Sequence, residues 1–210
     1  MPKGKTIAFD LETIANPKAV KLLDEPEAAK NLKDPDKIAA DISKKKAQQK
    51  AHMPLEITQC QICCFGWCDG DDSGYVLKDV SEKALITEIW AKLREYSDIV
   101  SYNGMGFDVP ILNFRSMANQ VLPPFTISLA RYRISNHIDL KAFITNYGYK
   151  TKGSLDFVSR LLLGEGKSGM DGSQVGKHWN LGEYDLVGKY CENDAVLTWK
   201  LYLRMLGYYF

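Results

Sequence analysis

Four acidic side chains and one tyrosine are the residues in this sequence with types and spacing suited to chemistry. Asp10 and Glu12 stand one residue apart in FDLET, residues 9–13. Asp108 closes NGMGFD, residues 103–108, and Asp194 closes YCEND, residues 190–194, with Tyr190 at its head. Carboxylates are hard oxygen ligands that suit a metal ion. Side chains alternate along a strand, so Ile7, Phe9 and Leu11 would share one face while Ala8, Asp10 and Glu12 share the other. Two carboxylates on one face repel each other unless water or a cation relieves them. By itself FDLET also fits a strand end emerging into solvent, with both acids hydrated.

Asp194 is harder to explain that way. Val187, Tyr190, Asp194, Leu197 and Leu201 follow the 3–4 spacing of one apolar helix stripe. An aspartate inside such a stripe needs a partner: a metal ion shared with Asp10 and Glu12, a backbone amide, or a lysine. Asp108 follows Gly104 and Gly106, which permit a tight turn, and precedes Pro110, where a helix is expected to start. It fits a helix N-cap, and it equally fits a site beyond a strand end of an open α/β sheet.

The elements that would position these residues can be read along the chain. KTIAFDLETI is β-rich. Residues 15 to about 56 are dominated by Ala, Lys, Glu and Asp, and both EPEAAKNL and DPDKIAADISKKKAQQKAH place Pro just inside a helix start. This stretch is expected to be a solvated helical insertion or arm. QCQICCFGWC, the turn DGDDSG and YVLKDV predict a hairpin returning to the first strand. SEKALITEIWAKLREYS predicts a helix, DIVSYN a short buried strand, and GMGFDVPILNFRSMANQ another helix. RYRISNHIDLKAF holds one more short strand, and the last third is helical. The sum is an α/β architecture around one mixed sheet.

Composition is ordinary for a globular chain of 210 residues, 45% hydrophobic and 25% charged. A net charge of +1 neither proposes nor excludes a polyanionic partner, so any nucleic-acid contact must come from local patches. No run reads as a signal segment or a membrane span. Five cysteines, an odd count, do not suggest a disulfide scaffold. A soluble, reducing, cytoplasmic setting is expected. Cys60, Cys63, Cys64 and Cys68 invite a zinc reading through one CxxC spacing, but no second pair follows, and buried thiols in a hydrophobic strand are favoured. His52, His137 and His178 form no spaced pair.

FDLET, NGMGFD and YCEND, in that order, resemble the three exonuclease motifs of the DEDD superfamily. Tyr190 four positions before Asp194, with Lys189 rather than His five before it, is similar to the tyrosine subset. The likeness is greatest to the proofreading domain of family-B DNA polymerases and its stand-alone relatives. SLDFVSRLLLGEGKSGMDGSQV and EYDLVGKYCENDAVLTWKLYLRML extend it, so that it spans most of residues 5 to 205. The resemblance implies an RNase H-like mixed β-sheet flanked by helices, forming a single exonuclease domain over residues 1–210 with a helical insertion at 15–56. It further implies hydrolysis of phosphodiesters from the 3′ end of DNA, single-stranded ends first, releasing nucleoside 5′-monophosphates with two Mg2+ or Mn2+ ions. Asp10 would bridge both ions, Glu12 and Asp194 would complete the nucleophile-side ion, and Asp108 would hold the leaving-group ion. Tyr190 would orient the attacking water rather than accept its proton, since a phenol titrates near ~10.

Leu11, Thr13, Asn103 and Phe107 match places that seat the terminal nucleotide in relatives, although Phe107 also fits core packing. Lys150, Lys152, Lys167, Arg131 and Arg133 could track phosphates or be solvated surface. Asp139 fits a helix cap or a supporting site residue. No polymerase body fits in 210 residues, so any proofreading would act in trans with a polymerase or another replication or repair partner. Two readings stay open beside a DNA exonuclease: an exoribonuclease, since nothing visibly reads the 2′ oxygen, and a non-catalytic nucleic-acid-binding module. A structural or adaptor domain would instead pair the acids with basic side chains.

Overall fold

A computed structural model describes residues 4–79, 81–148, 153–167 and 169–210. The sheet is built from β1 (Thr6–Ala15), β2 (Cys60–Cys68), β3 (Ser73–Leu77), β4 (Asp98–Ser101) and β5 (His137–Asp139), in the order β3-β2-β1-β4-β5. β3, β2 and β1 run antiparallel as a meander, whereas β4 and β5 join β1 in parallel. The helix α3 (Glu82–Leu93) makes the crossover from β3 to β4, and Ser81 caps it by accepting from the Ala84 amide. This is the mixed sheet flanked by helices that an RNase H-like fold requires.

The expected alternation of β1 is observed. Ile7, Phe9 and Leu11 enter one core with α3 and with α4 (Asp108–Ala118), through Leu85, Ile89, Ile111 and Leu112. Ala8 faces the opposite core, shared with Val100, Ile138 and two helices, α6 (Leu155–Leu163) and α8 (Tyr184–Met205). Asp10 and Glu12 are on that second face and meet α8. Just beyond Glu12 the register with β2 shifts: Glu12 opposes Cys64 and Thr13 opposes Ile62, leaving Cys63 as an extra residue. Such a bulge bends a strand locally. Thr13 and Ile14 are consequently both buried, and β1 turns away directly after its two acids.

The segment after β1 differs in part from expectation. DPDKIAADISKKKAQQKAH forms α2 (Pro35–His52), with Asp34 as N-cap accepting from the Asp36 and Lys37 amides and Pro35 in the first turn. EPEAAKNL forms no helix; a single short turn, α1 (Pro17–Val20), precedes it instead. An eight-residue helix without an apolar face does not recover its nucleation cost. The segment lies extended along α2, where the Ala29 amide donates to Asp41, the Lys45 ammonium donates to the Glu27 carbonyl, and Lys46 pairs with Glu25 at 2.6 Å. No residue of α2 is buried. The arm is anchored at its far end, where Met53 enters the interior and the Thr13 hydroxyl donates to the Pro54 carbonyl at 2.6 Å.

The cysteines lie along β2, with Cys191 on α8, all as free thiols. Burial pushes the Cys63 and Cys191 thiols upward. Both act as donors to the first strand: Cys63 Sγ to the Glu12 carbonyl at 3.3 Å and Cys191 Sγ to the Asp10 carbonyl at 3.4 Å. Among the described residues no helix is long and apolar enough to cross a membrane.

Candidate active site

The three carboxylates of Asp10, Glu12 and Asp194 converge, with one oxygen from each lying within 4.8 Å of the others. α8 brings Asp194 there because its buried stripe (Val187, Tyr190, Cys191, Leu197, Leu201) packs on the second face of the sheet. Gly66 of β2 permits the approach. A Cβ built at that position would lie 2.4 Å from the Cys191 carbonyl oxygen and 2.7 Å from the Glu192 nitrogen, both backbone atoms of α8.

Asp108 reaches the same cleft from α4, and its role there is not the simple N-cap. It is the first residue of the helix, and its Oδ1 accepts from the Leu11 amide of β1 at 3.1 Å. This bond places the second-motif acid beside the first-motif pair, 97 residues away in the chain. The loop that leads into α4 is held by Asp139. One of its oxygens accepts from the Asn103 and Ala142 amides, and the other from the Met105 amide. Asp139 therefore caps α5 (Leu140–Ile144) and clamps the loop at once. Asn103 adopts a left-handed conformation (φ 72°), which an asparagine tolerates better than a branched residue. Asp139→Ala would orphan three amides, and about 3 kcal/mol of stability is expected to be lost. Urea denaturation of the two proteins reads this as a lower midpoint with an unchanged slope.

Lys167 is the residue whose importance the sequence conceals. Among scattered lysines it reads as solvated surface, yet its ammonium donates to Asp194 Oδ2 and, at 2.8 Å, to the Tyr190 hydroxyl. Burial favours the neutral amine, but Asp194 and Asp10 outweigh it and hold Lys167 above the ordinary lysine range. Tyr190 is pushed up, by burial first and then by Asp194, so its phenol keeps its proton. The four acids are raised chiefly by burial. Asp108, Asp194 and Glu12 add to this at Asp10, while Lys167 opposes it. Asp194 and Glu12 are raised in the same way, again against Lys167. Asp108 rises to about 7 by burial, with the Leu11 amide opposing.

A divalent cation fits this donor set. The cluster holds four carboxylates against one lysine, leaving charge to be neutralised. Asp194 Oδ1 is moreover buried and has no hydrogen-bond partner, an arrangement that costs free energy unless something binds it.

Leu11, Thr13, Asn103 and Phe107 all line the same cleft, together with Pro54 and Leu55 of the arm. Phe107 also packs against the α3–α4 core. The Leu11 side chain is buried in that core and its amide is engaged by Asp108. The Thr13 hydroxyl is committed to Pro54. Arg131 lines a neighbouring hollow with Asn103 and Lys141, and Arg133 is exposed. Lys150 and Lys152 lie outside the described residues.

A sequence profile of the family described as "Predicted 3'-5' exonuclease related to the exonuclease domain of PolB" matches residues 75–208. The chain belongs to this family. The matched span carries Asn103, Phe107, Asp108, Lys167, Tyr190 and Asp194, while Asp10 and Glu12 precede it and join them through the fold. Two proteins named DNA polymerase 1 are similar over 134 residues: one from Sulfurisphaera ohwakuensis at 31% identity and one from Sulfolobus acidocaldarius at 30%. Each similarity covers 58% of this chain and 15% of the relative. The family B DNA polymerase of the hyperthermophilic archaeon Pyrobaculum calidifontis shares the fold, with a TM-score of 0.67 at 18% identity. That match covers 98% of this chain and 25% of the polymerase. The PolB-exonuclease-like fold thus extends over β1 and the arm, beyond the part that sequence similarity alone reaches.

Proposed function

We propose that the chain is a metal-dependent 3′–5′ exonuclease that hydrolyses DNA from single-stranded 3′ ends and releases nucleoside 5′-monophosphates. We read residues 1–210 as one exonuclease domain with residues 15–56 as an arm. The observation that carries this reading is the convergence of Asp10, Glu12 and Asp194 in an open cleft of a chain from the PolB-related exonuclease family. Asp10, Glu12 and Asp194 would hold one divalent ion, with Asp10 and the free oxygen of Asp108 helping to hold a second. Bound Mg2+ or Mn2+ supplies Lewis-acid stabilisation of phosphate charge and a more acidic water.

The protein's own groups supply position. Tyr190, protonated and one helical turn from Asp194, orients the attacking water through its hydroxyl. Lys167 remains charged and offsets the phosphate's negative charge at the cleft. Leu11, Thr13, Asn103 and Phe107 seat the terminal nucleotide, Phe107 by contact with its base. Incubation of 5′-labelled single-stranded DNA with Mg2+ or Mn2+ should give a ladder shortening from the 3′ end. Intact binding with no mononucleotide released in either metal would refute hydrolysis, and RNA run in parallel tests the sugar.

The Lys167–Asp194 pair favours a second reading, a structural or adaptor domain whose acids are neutralised from within. One ammonium against four carboxylates weighs against it. The two are separated by Lys167→Met. If the lysine stands where a cation binds, the variant should melt at a lower temperature without metal, because Asp194 loses its partner. It should also reach half of its metal-induced thermal shift at a lower Mn2+ concentration than the wild type. A neutralised, non-binding cluster would show no metal-induced shift in either protein.

A further inference from the structure

A second space opens beside the acid cleft, between the end of the arm and the turn that precedes α7 (Val175–Asn180). It is the larger of the two, about 780 Å³ against about 190 Å³. The spaces share four lining residues, Thr13, Pro54, Leu55 and Gly172, so one runs on from the other. Its charge is opposite to that of the cleft: Lys50, Lys78 and Lys177 line it, and none of its described lining residues is acidic. Its walls are otherwise largely apolar, including Ile14, Val20 and Leu55, the last 62% exposed.

We propose that this groove holds the single DNA strand on the 5′ side of the reacting 3′ end, with the last turn of α2 in one of its walls. The inference rests on the exonuclease reading above. A strand bound for stepwise hydrolysis must leave the cleft by some path, and cations beside apolar surface suit its phosphates and bases together. Lys50 at the end of α2 and Lys177 on α7 both line the groove, and Lys78 lies 5.9 Å from the centre of the Trp179 ring. The groove also gives the end of α2 a role. An 18-residue helix with no buried residue gains nothing from core packing and needs another reason for its place. The competing path, the hollow of Asn103, Arg131 and Lys141, is smaller at about 290 Å³ and contains the Asp139 carboxylate.

The test is fluorescence anisotropy with a 5′-labelled single-stranded oligodeoxynucleotide about fifteen nucleotides long, in EDTA, across a salt series. Lys50→Glu/Lys177→Glu alters two exposed lysines of the groove. Lys37→Glu/Lys44→Glu makes the same charge change on α2 away from it, and Arg131→Glu/Lys141→Glu alters the competing hollow. Loss of two phosphate contacts should weaken binding by about tenfold and flatten the dependence of log Kd on log salt by about 1.4, at ~0.7 per contact. The α2 control should keep the wild-type slope. No binding by the wild type, equal loss in groove and control variants, or loss confined to the Arg131/Lys141 variant would each overturn the groove. Hydrolysis does not enter these measurements. A wild type that binds with the expected slopes but releases no nucleotide refutes the exonuclease reading alone.

Discussion

Asp10→Ala should abolish the release of nucleotides while leaving the protein folded and able to bind DNA. Asp10 sits at the centre of the cluster: its carboxylate faces Asp108, Asp194, Glu12 and Lys167. Removing it takes away a ligand at the position where both ions would be held, so charge stabilisation and water activation fail together. A loss of at least about 10³-fold in rate is expected, or ~4 kcal/mol of transition-state stabilisation. Stability should move the other way. Asp10 is half-buried, and its pKa is raised by desolvation first and then by the like charges around it, so a neutral side chain relieves an unfavourable charge in the metal-free protein. The variant should therefore melt no lower than the wild type without metal and gain less from added Mn2+. Activity within tenfold of the wild type would remove Asp10 from the mechanism.

The second large effect is expected at a residue with no side chain. Gly66→Ala places a methyl group against the Cys191 carbonyl and the Glu192 nitrogen, at 2.4 and 2.7 Å. Neither atom can rotate aside, so α8 must move outward by several tenths of an ångström. Overpacking of this kind costs about 1–3 kcal/mol of stability. The functional loss should be greater in proportion, because Tyr190 and Asp194 ride on the displaced helix while Asp10 and Glu12 stay with the sheet. A misplacement near 1 Å can cost about 10²-fold in rate. Steady-state kinetics beside thermal melting checks both parts. A variant that loses stability but keeps its rate would show that the α8 position is not what aligns the site.

Much of this arrangement can be read from the chain before any coordinates. Period-2 alternation put Asp10 and Glu12 on one face, and 3–4 spacing put Asp194 in a buried stripe; both follow from local geometry alone. What could not be read depends on tertiary contact. Lys167 sits in a glycine-rich stretch with no periodicity, so nothing local aims it at Asp194. Locally Asp108 fits a cap and a site residue alike, and its partner, the Leu11 amide, is a pairing between distant segments that no local pattern shows. EPEAAKNL carried a helix-start signal, but eight residues without an apolar face lacked the packing to sustain a helix. The separation of the two flanking spaces into a basic groove and a hollow containing an acid emerges only when the arm, β1 and α7 meet.

The acids of this site come from segments far apart in the sequence: the Cys191 thiol touches the Asp10 carbonyl across 181 residues. A polypeptide emerging from the ribosome presents Asp10 and Glu12 well before Asp194. Until α8 docks, the first two acids have no third ligand, and Gly66 has nothing to receive. The nascent chain would until then lack the complete acid cluster. Any hydrolytic competence would then switch on in one step, with the docking of a single helix.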